Sequence, residues 1–247
     1  METIYILWLR QLRRYWRSRA RIIGSLGQPL LFLIALGFGF GPVYQKAGGG
    51  DYIEFLVPGV IAMGILFTAI FSGMEIIWDR QFGFLKETLV APVSRMTIML
   101  GRTLGGATVA TVQGLIVLLL TLLVGFRPDP LLLLPAILIM FLIALLFTAL
   151  GTGIASVIQD FQGFHLIMNF LVMPLFFLSG ALFPLEGLPT VIAIISRIDP
   201  LTYGVDALRG TLTGMTHLGF VVDLTVLGTT TLLFLLIGSI LFSRIEA

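Results

Sequence analysis

The sequence predicts an all-α integral membrane protein with six transmembrane helices. Of its 247 residues 57% are hydrophobic and 11% are charged, and the mean hydropathy is +1.05. A soluble globule of this length cannot bury so many apolar side chains. Runs this long and continuous do not fit a β-barrel, whose strands would be shorter and alternating. Six apolar runs approach or exceed the roughly 20 residues that a helix needs to cross a bilayer: Ile22–Phe40, Phe55–Ile77, Ile98–Val124, Leu131–Val157, Phe164–Leu182 and Phe220–Phe242.

The distribution of basic residues predicts that both termini are cytoplasmic. If the amino terminus lies inside, the inside segments hold eleven of the fifteen Lys and Arg residues, and the outside segments hold Lys46, Arg127, Arg197 and Arg209. Cytoplasmic loops carry the excess of Lys and Arg. The charged segment 78–102 between the second and third spans is therefore assigned to the cytoplasm as well.

Residues 1–21 are predicted to form an amphipathic interface helix. Such a helix lies in the headgroup layer, with its aromatic side chains at the apolar boundary and its arginines facing lipid phosphates or water. A signal-peptide leader is the alternative, but the aromatics are periodic and no small-x-small cleavage site follows Phe40. Ile4, Tyr5, Trp8, Leu12, Tyr15 and Trp16 share one side, and Arg10, Arg13, Arg14, Arg17 and Arg21 share the other.

The first two spans carry two unusual features near their ends. The first span ends in GFGFGP, where the glycines and Pro42 are expected to loosen or break the helix. The second span carries Glu75 one turn before its cytoplasmic boundary, and an ionisable group at that depth is a candidate for proton coupling or catalysis. The alternative is that Glu75 reaches the interface or pairs with Arg80.

A cytoplasmic helix is predicted after the second span. Phe82, Leu85 and Leu89 recur at helical spacing with charged residues on the other faces, and Pro92 ends the pattern near Ala91. We interpret the region 78–97 as the contact site through which a soluble partner moves the membrane protein. A solvated helix that only packs on the bilayer surface is the alternative.

The third and fourth spans each carry closely spaced glycines. Small residues let helices approach one another closely in a membrane, so this pattern predicts packing rather than chemistry. A short polar segment, residues 159–163, then joins the fourth and fifth spans as a second cytoplasmic contact point. The glycines are Gly101, Gly105, Gly106 and Gly114 in the third span, and Gly151 and Gly153 in the fourth.

The fifth span is the best candidate for a helix that lines a substrate pathway. It combines one amide, a flexible thioether and aromatic rings with an internal proline, Pro174. Ordinary helix packing remains the alternative for each of these residues. The proposed pathway residues are Asn169, Met173, Phe176 and Phe177.

An external re-entrant or interfacial hairpin is predicted over residues 183–210. Its two helical patterns are too short to cross a bilayer and are interrupted by prolines. Asp199 is placed to cap the second helix, Pro200 suits its first position and Gly210 its end. The charges of Arg197, Asp206 and Arg209 would lie at the external face, where they pair with each other or meet a polar substrate.

Apart from the candidate Glu75, no residue pattern predicts catalysis or metal binding in this chain. There is no Gly-Lys dipeptide, so the sequence contains no phosphate-binding P-loop, and any ATP would have to be hydrolysed by a partner. His165 and His217 lack paired carboxylates, and no serine stands in a nucleophile-elbow pattern. The absence of cysteine excludes disulfides.

Three segments resemble the permeases of ABC-2-type exporters. They are DRQFGFLKETLVAPVSRM from Asp79, LSGALFPLEGLPT from Leu178 and DPLTYGVDALRGT from Asp199. The resemblance extends over the whole chain in the order of its spans, its length and its amino-terminal helix. It implies a multi-pass subunit of a bacterial or archaeal cytoplasmic (inner) membrane.

The resemblance also implies how the subunit works. Two copies would form the pathway, two copies of a separate ATP-binding cassette subunit would bind ATP and Mg, and alternating access would export an amphipathic drug, lipid or glycolipid. Export of a polysaccharide or lipo-oligosaccharide, or a secondary carrier or channel without an ATPase, are the alternatives. The expected coupling residues are Phe84, Leu85, Glu87 and Leu89, and those of the external gate are Arg197, Tyr203, Asp206 and Arg209.

Overall fold

The computed structural model describes residues 2–47, 50–90 and 92–245, without the side chains of Arg21, Lys86 and Leu89. These ranges contain eleven α-helices and two short 3-10 turns, and no strand. The helices are α1 (Glu2–Arg17), α2 (Arg19–Lys46), α3 (Tyr52–Ser72), α4 (Met74–Gln81), α5 (Phe84–Val90), α6 (Arg95–Thr121), α7 (Leu133–Val157), α8 (Phe161–Leu178), α9 (Thr190–Ile198), α10 (Pro200–Thr213) and α11 (Phe220–Ser243).

Six stretches of the described chain are long and apolar enough to cross a membrane. This confirms the predicted all-α membrane protein with six spans. The stretches are Ile22–Lys46, Tyr52–Gln81, Arg95–Val124, Pro130–Val157, Phe161–Leu178 and Phe220–Ser243.

Helix α3 forms the centre of the bundle. In an 18-residue apolar window of its span, 78% of the residues are buried, whereas the share is 17% in the corresponding windows of α2 and α11. Helices α2, α6, α7 and α10 pack around α3. A helix that is apolar on every side is suited to such a position, because it has no face to present to water.

Glycines allow the central helices to approach one another closely, as predicted. A Cβ at Gly73 of α3–α4 would overlap the backbone of Gly151 on α7, and a Cβ at Gly151 would overlap Ile70 of α3. On α6, a Cβ at Gly106 would lie 2.6 Å from Ser72 Oγ of α3, and one at Gly105 would lie 2.6 Å from Gln11 Cγ of α1. Helix α6 is thus held between α1 and α3.

Helix α1 runs lengthwise along α6. Its Leu7 and Tyr15 are buried, the Trp8 indole N–H donates to Thr108 Oγ1 at 3.0 Å, and the Tyr15 hydroxyl bonds Gln113 Oε1 at 2.7 Å. Trp8 and Tyr15 of the aromatic side therefore face a neighbouring helix, whereas Tyr5 and Trp16 of the same side remain exposed.

Two helices, α2 and α10, end at other residues than the sequence predicted. Helix α2 continues through Pro42 to Lys46, because the rings of Phe40 and Tyr44 pack on Tyr52 and hold the end of α2 against α3. A proline at that point removes only one backbone hydrogen bond.

The second helix of the external hairpin begins as predicted but ends later. Asp199 Oδ1 accepts from the Leu201 N–H at 2.8 Å, with Pro200 in the first turn. The helix passes Gly210 and ends at Thr213, and the next residue, Gly214, has a φ of +76°, the left-handed conformation that favours glycine.

We predict that Gly151→Ala destabilises the bundle by about 1–3 kcal/mol, because the new methyl group would force α7 away from the backbone of α3. Thermal unfolding in detergent measures the effect. Gly228→Ala is the matched control, since nothing lies within 4 Å of a Cβ at that position. If both variants unfold at the same temperature, the close approach of α3 and α7 is not what holds them together.

Candidate coupling site

The chain turns sharply where α4 ends and α5 begins. Residues 78–90, which comprise the last turn of α4, the turn itself and α5, are called the corner from here on. Gly83, with φ +80°, turns the chain between the two helices. The helix predicted from Trp78 is thus divided: its first turn extends the second span, and a separate helix of seven residues follows. The predicted end near Ala91 lies outside the described residues.

A buried ion pair anchors the corner to α6. Arg102 Nη2 donates to Asp79 Oδ2 at 2.6 Å, and both side chains are buried. Arg10 Nη2 of α1 approaches the other carboxylate oxygen at 3.2 Å. Because a buried carboxylate needs both a counter-charge and hydrogen bonds, Asp79 fixes α4 to α6 and α1 at once.

The next residue anchors the corner to α7. Arg80 donates through Nη1 to the carbonyl of Ile158 at 2.9 Å and through Nη2 to that of Ser156 at 3.0 Å. A guanidinium at this position donates hydrogen bonds to carbonyls left free at the end of α7. Its positive charge also interacts favourably with the negative end of the helix dipole. A displacement of the corner therefore acts on α1, α6 and α7 together.

The four expected coupling residues do not share one environment. Phe84 is 52% exposed and Glu87 is exposed, whereas Leu85 is 2% exposed and belongs to the core. Leu89 lies on α5, but its side chain is outside the described part of the structure. Phe84 and Glu87 are thus the accessible members, and Leu85 holds α5 to the bundle.

Glu75 forms part of a structural ion pair. Its carboxylate is buried and lies 3.6 Å from Arg14 Nη1 of α1, while Arg80, the partner considered from the sequence, bonds to α7 instead. Among the described residues, no group of three or more His, Asp or Glu residues lies close enough to hold a metal ion.

The predicted pathway residues occupy two sides of α8. Asn169, Met173 and Phe177 follow one another at intervals of four residues on an exposed face. Phe176 is buried, with its ring 5.8 Å from that of Phe32. The exposed face is therefore available to a second chain or to a pathway, and Phe176 packs inside this one.

Arg209 joins the external hairpin to the centre of the bundle. Its Nη2 donates to the carbonyls of Gly180 at 2.9 Å and Phe55 at 3.3 Å, and its Cζ lies 4.0 Å from the centre of the Phe55 ring. Burial lowers the pKa of Arg209 to about 10, opposed by the charge of Asp206. The guanidinium remains charged at neutral pH and connects α10, α3 and the end of α8.

The other expected gate residues bond to backbone within the external region. Asp206 accepts from the N–H groups of His217, at 3.0 Å, and Leu218, at 2.8 Å. The Tyr203 hydroxyl donates to the carbonyl of Arg197 at 2.7 Å. These bonds hold α9, α10 and the loop before α11 as one unit.

Sequence reasoning missed Asp79, considered Arg80 only as a partner of Glu75, and counted Arg102 only among the cytoplasmic charges. A signal was present, because Asp79 and Arg102 are opposite charges near the ends at which two consecutive spans are joined. Such positions lie at the same depth, so oppositely charged residues there can meet.

Comparison with known proteins places this arrangement in a family. The sequence model described as ABC-2 type transporter matches residues 2–213. The chain is 28% identical over 217 residues to the putative transport permease ycf38 of Cyanophora paradoxa, covering 85% of this chain and 73% of that protein. It is 28% identical over 212 residues to nodulation protein J of Rhizobium leguminosarum bv. trifolii, covering 85% and 78% of the two chains.

We predict that Asp79→Ala costs about 3–5 kcal/mol of stability, because it leaves Arg102 buried without a counter-charge. The double variant Asp79→Leu/Arg102→Met removes both charges and should be less destabilised than the single variant. Thermal unfolding in detergent compares them, with Glu54→Ala as the control at an exposed acid on α3. A double variant as unstable as Asp79→Ala would contradict this account of the pair.

We predict that Asp199→Asn makes the chain more stable relative to wild type as the pH rises. Burial raises the pKa of Asp199 from 3.8 to about 8, so towards pH 8 the unfolded chain has lost a proton that the folded chain still holds, which favours unfolding. Between about pH 6 and pH 8 this costs wild type about 2 kcal/mol. Asparagine keeps the cap to Leu201 without the proton. Unfolding temperatures at both pH values test this, and an unchanged difference between the two proteins would refute it.

Proposed function

Because the chain belongs to the ABC-2 type transporter family, we propose that it is the membrane subunit of an ATP-driven exporter. It is a multi-pass transport permease by family and fold. The proposal adds that a separate ATPase binds the corner and thereby changes the conformation of the permease. The relatives named as transport permeases support transport as its activity.

The observation that carries the proposal is the construction of the corner. It presents an exposed apolar ring, Phe84, and an exposed acid, Glu87, on a short helix. One turn before that helix, Asp79 and Arg80 bond three other helices of the bundle. A partner that binds the exposed side chains would therefore displace most of the cytoplasmic end of the bundle.

The proposed partner is an ATP-binding cassette subunit, present in two copies, which binds ATP and Mg. This chain has no P-loop of its own. An aromatic side chain and a neighbouring charge are typical anchors of a protein interface, where the ring supplies affinity and the carboxylate meets a basic or amide group. Association of the two ATPases would push the corners and rock the bundles between inward-open and outward-open states.

We further propose that two copies of this chain enclose the pathway. The exposed face of α8 carries Asn169 beside Met173 and Phe177. An amide that faced acyl chains would be left without hydrogen-bond partners, which favours a second copy or a polar pathway over that face. Its apolar and aromatic character suits an amphipathic drug, lipid or glycolipid.

The external hairpin is proposed as the gate. Asp206 and Arg209 connect it to the loop before α11 and to α3, so it would move with the bundle rather than independently. Arg197 and Tyr203 stiffen the junction of α9 and α10 through their own hydrogen bond.

We predict that Phe84→Ala/Glu87→Ala abolishes export while folding and membrane insertion remain normal, because both side chains are exposed. The measurements are export of cargo from cells, recovery of the ATPase with the tagged permease, and the unfolding temperature of the purified chain.

The matched control is Leu131→Ala/Glu54→Ala, which removes one exposed apolar and one exposed acidic side chain at the predicted external side. It should leave export and ATPase recovery unchanged. Normal export by a well-expressed Phe84→Ala/Glu87→Ala variant would remove the coupling role from these residues.

A further inference from the structure

A pocket of about 890 Å³ lies between α1 and the corner. Arginines from α1 form one wall, and apolar side chains from both elements form the other. The arginines are Arg10, Arg13, Arg14 and Arg17, which follow one another along one face of the helix.

The four arginines fall into two pairs. Arg10 and Arg14 lie within ion-pair distance of the carboxylates of Asp79 and Glu75, at 3.2 and 3.6 Å. Arg13 and Arg17 have no acidic partner within the described ranges of the chain. The pocket therefore keeps an uncompensated positive charge, and a guanidinium fork fits the oxygens of a phosphate better than most other groups.

The apolar wall indicates that a bare anion would match only part of the pocket. Ile6, Trp78, Phe82 and Phe84 are all exposed there, and the rings of Trp78 and Phe82 stack with centres 5.3 Å apart. A phosphate alone would contact none of this surface. An amphiphile, with a phosphate beside a short stretch of hydrocarbon, would cover both walls.

The position along the chain indicates the depth of the pocket. Arg17 stands five residues before Ile22, where the first candidate span begins, and Trp78 lies in the last turn of the span that ends at Gln81. Aromatic residues and arginines at the ends of spans are typical of the headgroup layer. This depth favours a lipid over a soluble acidic protein.

We propose that the pocket binds the phosphate headgroup of an anionic phospholipid of the cytoplasmic leaflet. Arg13 and Arg17 contact the phosphate oxygens, and Trp78 and Phe82 contact the glycerol and the first methylene groups. The bound lipid fills the space between α1 and the corner and so holds the two together. This site requires neither the ATPase nor the cargo.

The test uses the full chain, purified alone in a neutral detergent, with phosphatidylglycerol or phosphatidylcholine added and the retained lipid counted by native mass spectrometry. Wild type is expected to retain phosphatidylglycerol in preference to phosphatidylcholine. Arg13→Gln/Arg17→Gln should bind phosphatidylglycerol roughly thirtyfold more weakly, from the loss of two arginines that face the headgroup. Arg13→Lys/Arg17→Lys should recover part of the loss, because lysine also binds phosphate as a point charge.

The control is Arg19→Gln/Arg244→Gln, which removes the same charge from exposed positions outside the pocket. It should bind phosphatidylglycerol as wild type does, and an equal loss in the control would reduce the effect to unspecific attraction and overturn the site. Equal retention of phosphatidylglycerol by wild type and Arg13→Gln/Arg17→Gln would also overturn it.

Two further experiments distinguish the lipid from other possible ligands of the pocket. If inorganic phosphate displaces the lipid at equal concentration, the pocket takes free phosphate and the lipid proposal is wrong. If the variant keeps the lipid but no longer recovers the ATPase, the pocket is part of the protein interface instead. Since the lipid measurement contains no ATPase, its failure leaves the export proposal untouched, and a failure of export leaves the lipid site untouched.

Discussion

The packing of α1, α4 and α6 depends on the buried pair of Asp79 and Arg102. Two charges removed from water cost several kcal/mol each, and only a close, hydrogen-bonded geometry offsets that cost. The observed separation of 2.6 Å, with Arg10 on the other carboxylate oxygen, satisfies both oxygens of Asp79, whereas Nε and Nη1 of Arg102 are buried without a hydrogen-bond partner among the described residues. This separation depends on the relative position of α1, α4 and α6, so the pair constrains how these three helices pack.

The central helix links this pair to the opposite end of the bundle. Helices α3 and α4 together form a candidate span of 30 residues, which corresponds to about 45 Å of helix. At the far end, the Tyr52 hydroxyl bonds the carbonyl of Leu182 and Arg209 bonds that of Phe55. Close backbone contact at Gly73 and Gly151 leaves little room for α3 to slide against α7. A force applied at the corner would therefore reach the hairpin of α9 and α10 through α4 and α3, which meet at Gly73.

The sequence determines the spans more clearly than it determines the corner. Long apolar runs have one physical solution in a bilayer, so all six spans were predictable. Helix α5 has only seven residues, too few for periodicity to separate its inner side from its outer side, and Leu85 and Phe84 could not be told apart. Asp79 was missed for a different reason, since a charge beside a span suggests solvent unless its partner on another helix is known. Phe176 and Phe177 show the same limit, because adjacent rings on an apolar helix carry no sign of which one faces a neighbour.

The cytoplasmic arginines illustrate why a count of charges is not a description of a site. Arg102 neutralises a buried carboxylate, Arg80 satisfies carbonyls at the end of α7, and Arg13 and Arg17 have no partner in the described chain. All of them count equally in the excess of positive charge from which the orientation of the chain is predicted. Orientation depends on the sum and tolerates the loss of one member, whereas each local contact depends on one guanidinium with its own geometry. The arginines that matter least to the packing of the bundle are therefore the ones left free to bind an anion from outside it.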